Sequence, residues 1–177
     1  LSIANSTSDI VCQNCQAGFF STTNNSMTCA THATCNPGQY IITNASSAVN
    51  RVCENCANGS FSDHSNQQSC TTHTICIPSQ RIVWDGNSTT DRTCQNCNNI
   101  SFSSLTNSIN CTLHATCNPG QYITTNASST VNRVCQNCAN GSFSGYTNAY
   151  SCTTHTDCIL GERVTWHGNS TTDRRCE

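Results

Sequence analysis

Two cysteine spacings carry the chemistry of this chain: Cys-x2-Cys, as at Cys12 and Cys15, and Cys-x2-His-x2-Cys, as at Cys29, His32 and Cys35. Thiolates and an imidazole at such spacings can hold a tetrahedral zinc ion, and the same thiols can be oxidised in pairs to disulfides. Zinc requires thiolates kept reduced. The chain also carries the acceptor motif Asn-x-Ser/Thr at Asn5, Asn24, Asn44, Asn58, Asn87, Asn99, Asn110, Asn126, Asn140 and Asn169. These motifs point to the oxidising secretory route, so disulfides are favoured over metal and no cofactor is expected. Asn58, Asn99 and Asn140 lie 41 apart, which suggests N-linked sugars laid down in register, with O-linked sugars a further candidate. Asn110 is the weakest acceptor because it abuts Cys111.

The elements that position these groups are set by a period. Cys12, Cys53, Cys94, Cys135 and Cys176 are each 41 residues apart, and the other cysteines follow with the same step. A fixed step of this kind marks a tandem array in which each unit leans on its neighbours. A 41-residue unit is at the lower edge of what buries a stable apolar core, so the 17 cysteines of 177 residues must supply cross-links instead. That density points to a secreted or cell-surface location.

Charged residues make up 9% of the chain, the net charge is −2, and all seven basic residues are Arg. Without a basic patch nucleic acid is not an expected partner. No apolar run approaches the roughly 20 residues of a membrane span. Leu1 to Val11 lacks the basic start and long apolar stretch of a signal peptide, so the chain reads as a mature or processed segment.

The units alternate. Asn36-Pro37-Gly38-Gln39-Tyr40 returns at Asn118 to Tyr122, whereas Arg81-Ile82-Val83-Trp84 returns as Arg163-Val164-Thr165-Trp166. The expected division is a tail of a preceding repeat at 1–12, then repeats at 13–53 (type A), 54–94 (type B), 95–135 (type A) and 136–177 (type B). Cys12 is left without a partner in this scheme, and its mate is expected upstream or in another chain. Gln39 to Thr43, Gln80 to Trp84 and Gln121 to Thr125 alternate as strands of two-stranded ribbons do. The remainder reads as turns, with no helical period.

Four cysteines per unit allow three pairings, and spacing does not choose among them. The order Cys-x2-Cys, Gly-x-Phe-Ser, Cys-x2-His-x2-Cys and a long loop closing in Arg-x-Cys resembles the cysteine-rich repeat of the tumour-necrosis-factor receptor family. The resemblance implies a small, disulfide-rich, irregular β fold in an elongated tandem array, with two single-disulfide modules per repeat. It implies bridges Cys15–Cys29, Cys56–Cys70, Cys97–Cys111 and Cys138–Cys152 in the first modules. In the second modules it implies Cys35–Cys53, Cys76–Cys94, Cys117–Cys135 and Cys158–Cys176. The phenylalanines Phe20, Phe61, Phe102 and Phe143 are then expected to cover the bridges and form most of each small core.

Other periodic side chains admit a sharper and a plainer reading. The aligned His32, His73, His114 and His155 could sense pH, but a hydrogen-bonded fastener between modules is favoured. Arg51, Arg92, Arg133 and Arg174 are expected to bond local carbonyls or the neighbouring Asp91 and Asp173. Trp84, Trp166, Tyr40 and Tyr122 are candidates for lateral contacts. No acid pair or nucleophile motif recurs, so catalysis is not expected.

Two functions follow. Loops of constant length and a nearly unchanged AB block favour a glycosylated structural protein, part of a filament, surface hair or coat built from copies of itself. The alternative, which the resemblance implies, is the ectodomain of a receptor that binds a protein ligand.

Overall fold

The computed structural model describes residues 11–177. Asn5, and the segment 1–12 apart from its last two residues, lie outside the described residues. Within those residues the chain contains turns and eight two-stranded ribbons, with no sheet wider than two strands and no helix. The runs Gln39–Thr43, Gln80–Trp84 and Gln121–Thr125 each form one strand of a ribbon over the residues expected of them.

Local turn chemistry accounts for where the long ribbons begin. Pro37 presets its own φ and Gly38 takes φ +86, and the Gln39 amide closes onto the Asn36 carbonyl at 3.0 Å. This is the arrangement of a type II turn, whose third residue needs a positive φ. The same turn recurs at Ile77 to Gln80, closed at 3.0 Å, but there Ser79 occupies the left-handed position at φ 80. The strands then pair antiparallel, Gln39 opposite Asn55 and Ile41 opposite Cys53, with a bulge before Thr43 faces Val52. The bulge adds local twist to a ribbon that has no third strand to flatten it.

The short ribbons begin in a second kind of turn. Ser60 donates from its amide to the Ala57 carbonyl at 3.1 Å, with Gly59 at φ +87. In the third copy Ile100 stands in place of that glycine. There the side-chain oxygen of Asn98 accepts from the Ile100 amide at 3.2 Å and from the Ser101 hydroxyl at 2.6 Å. The Ser101 amide still closes onto the Asn98 carbonyl at 3.1 Å without a left-handed residue, and the Asn side chain braces that turn.

The described residues fall into two compact units. One comprises the residues up to Thr74 together with Trp84–Thr93; the other comprises Ile75–Val83 and Cys94–Glu177. In the first the buried side chains are Cys35, Ile41 and Ser62. In the second they are Cys76, Cys117, Ile123, Ser101, Ser103 and Ser144. The phenylalanines expected to form the cores are instead only half-buried. A unit this thin cannot enclose an aromatic ring, and the smallest side chains, sulfur and hydroxyl, take the fully enclosed positions.

Candidate functional site

The recurring site is a ladder of sulfur bridges and the joints between them. Eight disulfides join Cys15 to Cys29, Cys56 to Cys70, Cys97 to Cys111 and Cys138 to Cys152, each 14 residues apart. The others join Cys35 to Cys53, Cys76 to Cys94, Cys117 to Cys135 and Cys158 to Cys176, each 18 apart. Cys12 is exposed and carries no bridge among the described residues.

An asparagine series joins each 18-residue loop to the 14-residue loop that follows. Asn66 sits at φ 61, Asn107 at φ 53 and Asn148 at φ 56. Asparagine tolerates this left-handed region better than other residues with a side chain. The turn aims its amide oxygen backwards, so that Asn66 accepts from the Cys35 amide at 3.0 Å while its own amide donates to the Cys35 carbonyl at 2.9 Å. Asn107 and Asn148 do the same for Cys76 and Cys117. Each thereby satisfies both backbone groups of a cysteine fully removed from water, where an orphaned donor is costly. Sequence reasoning missed this series, although its 41-residue step was in plain view.

The serine that closes Gly-x-Phe-Ser is a second joint. The Ser62 amide donates to Ser88 at 2.9 Å, its carbonyl accepts from Gly38 at 2.8 Å, and its hydroxyl donates to the Gln39 carbonyl at 2.8 Å. Ser144 repeats the backbone part with Ser170 and Gly120. The Gly38 amide reaches this serine because no side chain intervenes: a Cβ on Gly38 would meet the Ser88 hydroxyl at 3.0 Å.

The histidines stack on the phenylalanines, with ring centroids 5.7 Å apart for Phe20–His32 and 5.4 Å for Phe61–His73, Phe102–His114 and Phe143–His155. The hydrogen bonds of His32 differ from those of His73 and His155 in the type B units. His32 donates from Nε2 to the Ser46 carbonyl at 3.1 Å. His73 instead faces Asp91 through Nδ1 at 3.2 Å, and His155 faces Asp173 at 3.3 Å. Three positions change together to allow this. The Asp91 carboxylate accepts from the Thr74 amide and hydroxyl at 2.8 and 2.6 Å, whereas the corresponding Asn50 accepts from the Ala33 amide, which has no hydroxyl beside it. Gly86 leaves the space that His73 fills, since a Cβ there would lie 2.7 Å from the ring. The type A counterpart of Gly86 is Ala45.

These contacts hold the Asp91 and Asp173 carboxyls down to about 2. The hydroxyl of Thr74 or Thr156 contributes most, then its amide, then the Arg92 or Arg174 amide and the histidine, against the opposing pull of burial. A depressed carboxyl stabilises the fold fully above its unfolded value of 3.8 and loses that contribution as pH falls from there towards about 2. Thermal melts between pH 5 and pH 2 should show Tm falling across this window. The fall should flatten in the double variant Asp91→Asn, Asp173→Asn.

All four arginines donate to a local carbonyl, as expected: Ala33, Thr74, Ala115 and Thr156 accept in turn. Arg51 donates from Nη1 to the Ala33 carbonyl at 2.7 Å and to Asn66 at 2.8 Å, and Arg133 bonds Ala115 and Asn148 alike. Local carbonyls are therefore partners. Arg92 also pairs with Asp85 at 2.9 Å, and Arg174 pairs with Asp157 at 3.1 Å.

The asparagines Asn24, Asn44, Asn58, Asn87, Asn99, Asn110, Asn126, Asn140 and Asn169 are all exposed. Trp84 and Trp166 are each 50% exposed. Tyr40 and Tyr122 are half-buried and tied into their own ribbons, donating to Glu54 at 3.1 Å and Gln136 at 3.0 Å. The bond to Glu54 raises the Tyr40 hydroxyl above its usual 10. No helix among the described residues is long and apolar enough to cross a membrane.

Short ribbons stapled by two bridges per 41 residues define a disulfide-rich repeat protein. Residues 15–53 and 56–94 match the TNFR/NGFR cysteine-rich region and are tumour-necrosis-factor-receptor-like cysteine-rich repeats, and the same two-bridge pattern recurs over residues 97–135 and 138–176. No curated protein matches it. Among solved structures, a chain of the human RANKL/OPG complex is 25% identical, covering 88% of this chain and 94% of that one with a TM-score of 0.38. A chain of the mouse RANKL–OPG complex is 23% identical, covering 73% and 96% with a TM-score of 0.35. A chain from a study of equine lentivirus receptor 1 is 23% identical, covering 57% and 96% with a TM-score of 0.35.

Proposed function

We propose that this chain is a ligand-binding stretch of a secreted or cell-surface ectodomain of the tumour-necrosis-factor-receptor type, and that its ligand is a protein. The observation that carries this reading is the match of two consecutive 39-residue segments to the TNFR/NGFR cysteine-rich region. That match favours the receptor alternative over the filament, surface hair or coat. The physics of the fold is compatible with the same role. Almost every side chain is at least partly exposed, and the loops are held by bridges and backbone joints, so side chains at the surface are free to vary for recognition. Such a surface acts by binding rather than by catalysis.

The test is capture of trimeric cytokines of the tumour-necrosis-factor type on the immobilised, oxidised chain. Saturable binding that disappears on reduction supports the reading. Fibres formed by the isolated chain, with no cytokine captured from a full panel of that class, would return the structural role to first place.

A further inference from the structure

The third 14-residue loop departs from the period on both sides of its closing cysteine. Leu113 is strongly exposed, whereas the other three copies have Thr31, Thr72 and Thr154 at its position. The same loop is the only copy with an acceptor asparagine immediately before its closing cysteine; the others have Thr28, Ser69 and Ser151. Asn110, Leu113, Ser101, Asn98, Gln95 and Arg81 line one cleft of about 440 Å³. Leu113 faces Ser101 across the short ribbon and is 67% exposed. Arg81 donates to Gln95 at 2.7 Å, so its charge is turned into the wall. Among the described residues the Asn110 side chain has no hydrogen-bond partner; only its backbone carbonyl accepts, from Ser108 at 2.7 Å.

We propose that Asn110 carries an N-linked glycan whose first sugar lies in this cleft and covers Leu113. The occupant suits the walls. N-acetylglucosamine is uncharged, with polar edges for the amides of Gln95 and Asn98 and an apolar ring face for the leucine. Leu113 is the one large apolar side chain on a wall otherwise made of polar side chains and a disulfide, and a covalently attached cover is held beside it at high effective concentration. In the transfer, the Asn110 amide nitrogen bonds to C1 of the reducing sugar of a lipid-pyrophosphate-linked oligosaccharide. The C1–O bond to the pyrophosphate breaks, the lipid pyrophosphate leaves, and the amide gives up one proton. This inference is independent of ligand binding, and its failure would leave that reading intact.

The chain secreted from a glycosylating eukaryotic host is mapped by glycopeptide mass spectrometry. Asn110 is expected to carry sugar; finding it bare overturns the proposal. Thr112→Ala removes the acceptor motif and should raise the fluorescence of an apolar dye such as anilinonaphthalene sulfonate, as should Asn110→Gln. Adding Leu113→Thr should abolish the rise. A dye signal unchanged by loss of the sugar, or unaffected by Leu113→Thr, shows that the glycan does not cover this cleft. So does protection of Leu113 by a protein ligand alone.

Discussion

Replacing Cys117 and Cys135 together by serine should cost the second unit about 3 kcal/mol, the scale on which a loop of this size restricts the unfolded chain. The bridge closes an 18-residue separation, and Cys117 is fully buried. The neighbouring bridge Cys97–Cys111 closes 14 residues and is only half-buried at both ends. Chain entropy alone would make the two losses equal to within about 0.2 kcal/mol, because loop closure varies only as the logarithm of length. Burial adds a second cost at Cys117, where serine places a hydroxyl in a site shaped for sulfur. The Cys117/Cys135 deletion should therefore be the larger in chemical denaturation followed by hydrogen exchange. Equal losses would mean that the bridges act only on the unfolded chain. A loss well below 1 kcal/mol from either would show that the backbone joints hold the unit without sulfur.

Asn148→Ala should destabilise the same unit by about 2–5 kcal/mol. The substitution removes the acceptor for the Cys117 amide and for Arg133, both at 3.0 Å, and leaves that amide buried without a partner. A stranded donor of this kind costs about 1–3 kcal/mol. Alanine must also hold φ near 56, which adds about 1–2 kcal/mol for a residue whose Cβ crowds the following carbonyl. Asn148→Gly separates the two costs: it relieves the strain but not the lost bonds, so it should recover about 1 kcal/mol relative to alanine. Exchange of the Cys117 amide reports the joint directly and should quicken in both variants. If glycine restores full stability, the asparagine is there only for its backbone conformation.

The filament reading weighed loop length as evidence against recognition. Constant length is also what the joints require. The Asn66 side chain, the Gly38 amide and the Ser62 carbonyl must meet across loops of fixed size, so an insertion would break a bond to a buried cysteine whatever the loop's function. Equal spacing therefore reflects backbone geometry and does not discriminate a fibre from a receptor.

How much was legible divides along the range of the interactions. The 41-residue period, the strands Gln39–Thr43, Gln80–Trp84 and Gln121–Thr125, and the turns at Pro37-Gly38 and Gly59 could be read from the chain, because turn chemistry acts within about four residues. The pairing of cysteines could not, since three pairings satisfy the same spacing, and only the resemblance to a known repeat supplied one. Tertiary structure alone decided the rest. It set Asn66 against Cys35 from 31 residues away, turned His73 to Asp91 but His32 to Ser46, and sent Arg92 to Asp85. It also gave the enclosed positions to Cys35, Cys76 and Cys117 rather than to the phenylalanines. Each of these depends on which backbone groups of a neighbouring loop come to lie without water and which side chain is close enough to satisfy them. That is a property of the packed chain, which no local pattern of residue types encodes.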